Sequence, residues 1–81
     1  MSPSEIEKEI IDMLGVVFPS VPDAEPTPKS TLEDLGLDSL DAVEVQLLFE
    51  DRWGEGLLRD YRPGEDVAIS DMAKEIHRRI T

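Results

Sequence analysis

The chain has 81 residues, 40% of them hydrophobic and 33% charged, which is enough for one small domain but not for a deep, walled active site. Nineteen Asp and Glu against eight Lys and Arg give a formal net charge of −11, so nucleic acid backbones and anionic membrane surfaces are excluded as partners and basic protein surfaces are favoured. Cysteine is absent, which removes disulfides, a thiolate nucleophile and cysteine-ligated zinc; any thiol chemistry would need an attached group.

No apolar run approaches the roughly 20 residues of a membrane span. The opening "MSPSEIEKEI" is acidic where a secretory signal would be basic and then apolar, so a cytoplasmic, monomeric protein is expected. In the same stretch Ser2 reads as a helix cap, Pro3 as the first helical residue and Glu5 as the closing member of a capping box. Ile6, Ile10, Met13, Leu14 and Val17 then fall on one face, predicting a first amphipathic helix. Prolines at 19, 22, 26 and 28 predict a long, stiffened connection over about 19–30. "STLEDLG" follows with the spacing of a short capped turn, led by Ser30 or Thr31 and stopped by Gly36.

A second main helix is expected over about 39–53, with Asp38 as cap, Ser39 at the first helical position, Asp41 in the first turn and Gly54 at the end. Steps of 100° give it two apolar stripes, Val45, Phe49 and Trp53 on one side and Leu40, Val43 and Leu47 on another, with Leu48 apart from both. Such a pattern suits a helix buried on most sides, or one whose second stripe lines a cleft or meets a partner. Glu44, Glu50 and Asp51 wet the edges of that second side. "EGLLRDYRPGEDVAI" reads as irregular, with one short helix around Asp66 to Ile69. "SDMAKEIHRRI" then predicts a last amphipathic helix capped by Ser70, with Met72, Ile76 and Ile80 recurring every four residues. The single histidine, His77, matches the macrodipole at that helix's C-terminus rather than a catalytic role. With no strand pattern, repeat or second domain, residues 1–81 read as one all-α domain, a small bundle of three main helices plus short helical turns.

Ser39 raises the question of chemistry. A hydrolase serine needs a glycine-flanked elbow, a histidine base and an orienting acid, and none of these surrounds it. An EF-hand read from Asp34 puts Gly36 at a ligand position, Ser39 where glycine is needed and Val45 where the bidentate glutamate belongs. Neither a catalytic residue nor a metal ligand is therefore assigned.

The tripeptide "DSL" within "LEDLGLDSLDAVEVQLLFEDRWG", with Gly36 two residues before Asp38, a capped turn before it and an acidic helix after it, resembles the acyl carrier proteins and related carrier domains. The resemblance is strongest from Leu32 to Gly54 and looser over the rest of the chain. It implies that Ser39, flanked by Asp38 and Leu40, takes phosphopantetheine from coenzyme A through a separate magnesium-dependent phosphopantetheinyl transferase. The arm's thiol would then carry acyl or related thioesters to enzymes of fatty acid, polyketide or related biosynthesis. It also implies that Leu40, Val43 and Leu47 lie on or beside the recognition side, and that Asp41, Glu44, Glu50 and Asp51 meet basic docking patches on loading and processing enzymes. A helix start agrees with this, since it exposes the hydroxyl and its amides favour a phosphate. Certain positions depart from the pattern of fatty acid carriers: the stretch Glu55 to Ala68 is longer, Arg59 and Arg62 stand where acidic residues are usual, Arg52 breaks the acidic run, Trp53 replaces phenylalanine and Leu48 is large. They leave room for a discrete carrier in a specialised pathway. Asp38 and Asp41 lean toward acyl and polyketide carriers over aminoacyl or peptidyl carriers. The other class of reading is an unmodified acidic helical module that binds proteins through the helix after Ser39.

Overall fold

The first helix, α1 (Pro3–Val17), starts where proline's fixed φ and missing N–H cost nothing. Ser2 Oγ accepts the Glu5 N–H at 3.3 Å and Glu5 Oε1 accepts the Ser2 N–H at 2.9 Å, closing the expected capping box. Those bonds, the one from the Ser2 backbone foremost, hold the Glu5 carboxyl below the ordinary glutamate value. Ile6, Ile10 and Leu14 are buried, Met13 packs at the margin of the core and Val17 is half-buried. The computed structural model describes residues 2–18, 26–58 and 60–81; most of the proline-rich connection, with Pro19 and Pro22, and Arg59 lie outside them.

The Thr27 N–H donates to Ser30 Oγ at 3.0 Å, so the Ser30 hydroxyl serves the bend before the capped turn and Thr31 leads the turn itself. Thr31 Oγ1 accepts the Asp34 N–H at 3.0 Å while Asp34 Oδ2 accepts the Thr31 N–H at 3.1 Å. Gly36, at φ 81°, reverses the chain in a region that side-chain-bearing residues avoid. Leu32, Leu35 and Leu37 enter the core from this segment. The second long helix, α2 (Ser39–Trp53), has the predicted bounds and stops at Gly54, whose φ is 117°.

The region before the last helix differs from expectation. A single-turn helix, α3 (Glu55–Leu58), directly follows Gly54, and no short helix forms around Asp66. Residues 65–70 are instead paired with residues 28–33. The Glu33 N–H donates to the Glu65 carbonyl, Ala68 and Thr31 form an isolated antiparallel bridge, and the Ile69 and Ser70 N–H groups donate to the Ser30 and Pro28 carbonyls at 2.9 and 2.7 Å. With those backbone groups engaged across the chain, residues 64–67 close one turn, the Val67 N–H donating to the Gly64 carbonyl at 3.1 Å, and do not extend it into a helix. The same pairing corrects the assignment of Ser70 as a cap. The last helix, α4 (Ile69–Ile80), has Ala68 at its N-cap with no side-chain cap, because the loop carbonyls already satisfy its first amides.

Met72, Ala73 and Ile76 of α4 are buried, and Ile80 packs at the edge of the core. α1 packs on α4 and α2 on α3, while Arg52 Nη2 reaches Glu9 Oε1 at 2.8 Å to tie α2 to α1. His77, Arg78 and Arg79 occupy the last turn of α4, as the macrodipole favours. Among the described residues the architecture is all-α, three long helices and one single turn around a single core, with no strand and no helix long and apolar enough to cross a membrane.

Candidate functional site

Asp38 sets the start of α2. Its Oδ1 accepts the N–H groups of Leu40 and Asp41, both at 3.0 Å, and Asp41 Oδ2 returns a bond to the Asp38 N–H at 3.1 Å. The two aspartates thus form a capping box, which leaves Asp41 half-buried and partly engaged in holding the helix start. Ser39 sits between them, exposed, at the first helical position. The amides of Leu40 and Asp41, which a bare helix start would offer to an anion, are already taken by Asp38.

Helix α2 resolves the ambiguity between its two stripes. Val45 and Phe49 are fully buried, and Trp53 packs at the core's edge with its ring edge-on to Phe49 at 5.7 Å. Leu40, Val43 and Leu47 are 79%, 49% and 58% exposed, an apolar stripe left in water. Glu44 and Asp51 are exposed and Glu50 is half-buried, and among the described residues none of the three enters an ion pair. Ala42 and Gln46 are also buried. Gln46 lies one turn after Ala42 and three residues before Phe49, so the helical angles alone put it inward; only its polarity argued otherwise.

A cleft of about 260 Å³ opens beside Ser39, lined on the α2 side by Ala42, Val43 and Gln46 and on the other by Arg62, Pro63, Gly64 and Glu65. Residues 62–65 carry no periodicity that would mark them in advance. The backbone pairing of 28–33 with 65–70 and the burial of Leu58 bring them here. No histidine lines this cleft, its one acidic lining residue is Glu65, and among the described residues no cluster of acidic or histidine side chains could hold a metal ion. Ser39 thus presents a reachable hydroxyl next to a cleft whose walls are mainly apolar.

A family model described as "Phosphopantetheine attachment site" matches residues 4–57. The acyl carrier protein of Thermobifida fusca (strain YX) is 39% identical over 69 residues, covering 75% of this chain and 87% of that protein. The chain belongs to the acyl carrier protein family. A second family relative, the acyl carrier protein of Campylobacter fetus subsp. fetus (strain 82-40), is 32% identical over 72 residues, covering 89% of this chain and 87% of its own. No solved structure is a significant match. Acyl carrier proteins are carriers rather than catalysts, and membership implies a covalently attached phosphopantetheine.

Proposed function

We propose that Ser39 is the attachment residue and that the protein carries acyl thioesters of a fatty acid, polyketide or related pathway between partner enzymes. The observation that carries this reading is the serine of the Asp-Ser-Leu motif, exposed at the capped start of α2 with a cleft at its side. Asp38 fixes the backbone so that the hydroxyl is held out to a transferase, which supplies the base and the phosphoryl donor. In the transfer, the Ser39 O–H proton passes to the transferase's base, an Oγ–P bond forms to the phosphorus bearing the pantetheine, and the phosphoanhydride bond of coenzyme A breaks with adenosine 3′,5′-bisphosphate as the leaving group. The attached arm supplies a thiol that holds cargo as a thioester, chemistry that a chain without cysteine cannot offer itself. Leu40, Val43 and Leu47 give partners a short-range apolar contact, and Glu44, Glu50 and Asp51 draw basic patches of the transferase and acyl-processing enzymes toward it.

The test is incubation with coenzyme A, magnesium and a broad-specificity phosphopantetheinyl transferase, followed by intact mass. Wild type should gain one phosphopantetheine and Ser39→Ala none, with both proteins melting alike because Asp38 provides the cap. An equal gain by Ser39→Ala would remove Ser39 from the assignment. The mass of the thioester recovered from the native source would name the cargo.

A further inference from the structure

The cleft beside Ser39 is bordered by charges of both signs. Asp38 and Asp41 flank the serine, while Glu65 and Arg62 line the cleft. Arg52 is paired with Glu9, Arg78 with Glu75, and Arg79 with both Glu75 and Asp60. Arg62 is the arginine among the described residues that has no carboxylate partner, although the chain carries 19 carboxylates and one of them shares its cleft. A phosphodiester on Ser39 would add a negative charge between two aspartates, and the amides of Leu40 and Asp41 are unavailable to it. A planar guanidinium with several free N–H donors suits such an anion.

We infer that Arg62 is the counter-charge of the phosphodiester on Ser39, and that this contact turns the root of the arm toward the apolar walls formed by Ala42, Val43 and Pro63. The inference rests on attachment at Ser39. Proximity supports it, because the phosphate is one bond from Ser39 Oγ whatever cargo the arm bears, whereas the distal end of the arm is free to roam. Without the contact, modification only adds repulsion to a chain already at −11.

The test compares unmodified and phosphopantetheinylated forms of wild type, Arg62→Gln and Arg62→Lys, each with the arm mapped by peptide mass. At low salt, modification should raise the wild-type melting temperature by roughly 1 to 8 °C, the range of one solvent-exposed charge pair in a domain of this size. The rise should fade with added salt, vanish or reverse in Arg62→Gln and survive in part in Arg62→Lys. The Arg62 Nε–Hε resonance should also move on modification. An equal rise in Arg62→Gln, or a resonance that moves only when a carboxylated cargo is loaded, would overturn the inference while leaving attachment at Ser39 intact. An arm mapped to another residue would overturn both.

Discussion

Helices α2 and α4 both lie along the core and treat their outer faces in opposite ways. In α4 the apolar residues Ile69, Met72, Ala73 and Ile76 all face inward, and the outer face neutralises itself: Arg79 holds Glu75 at 2.6 Å and Asp60 at 2.7 Å, and Arg78 also reaches Glu75. Arg79 additionally lies over the Tyr61 ring at 5.2 Å. In α2 only Val45, Phe49 and their neighbours face inward, while Leu40, Val43 and Leu47 are left to water beside unpaired carboxylates. Stability alone would favour the first arrangement, in which no apolar face is left wet. On the function proposed above, the second is kept because partner enzymes have to meet that surface.

Substitutions can break that contrast. The largest effect should come from Phe49→Ala on the inward face of α2, a loss of about 3 to 5 kcal/mol by denaturant melts, since the side chain is fully buried among the helices. Asp38→Ala should cost about 0.5 to 2 kcal/mol by freeing the amides of Leu40 and Asp41, and circular dichroism should show the loss in thermal midpoint. Leu40→Ala, two residues along but facing water, should change stability by less than about 0.5 kcal/mol while lowering the transferase's kcat/KM several-fold. A large stability loss there would make the outer stripe part of the core. The smallest effect belongs to α4. Hydrogen bonds from Arg78 and Arg79 hold the Glu75 carboxyl down at about 2, against an ordinary value of 4.5. A carboxyl depressed in the folded state adds stability above pH 4.5 that is lost as pH falls through about 2. The gap in melting temperature between wild type and Glu75→Gln should be widest above pH 4.5, small because the cluster is solvent-screened, and should close toward pH 2.

Elements governed by local rules were legible in the sequence. Ser2 with Glu5, Asp38 at its cap and Gly54 at its stop set the bounds of α1 and α2 because each acts within one turn. The reciprocal bonds of Thr31 with Asp34 and Asp38 with Asp41 follow the same three-residue spacing and could have been read from it as capping boxes. Which stripe of α2 turns inward could not be read, since 100° steps order residues around an axis without saying where the core lies. The Ser70 cap and the helix near Asp66 failed for a different reason: strands of loop distant in sequence compete for the same backbone groups. The site divides likewise. The exposed place of Ser39 at a capped helix start follows from local spacing, whereas Arg62, Pro63, Gly64 and Glu65 become its neighbours only through closure of the fold.

The carbonyls of Pro28 and Ser30 that receive the first amides of α4 couple the start of that helix to the segment leading into α2. A helix with its own side-chain cap satisfies its first amides locally; the first two of α4 are satisfied only where a segment distant in sequence has closed against it, at the loop-closure entropy of that contact. Its first turn and the segment leading into α2 therefore form and fray together. The last helix of the chain and the base of the serine's helix thus belong to a single cooperative unit.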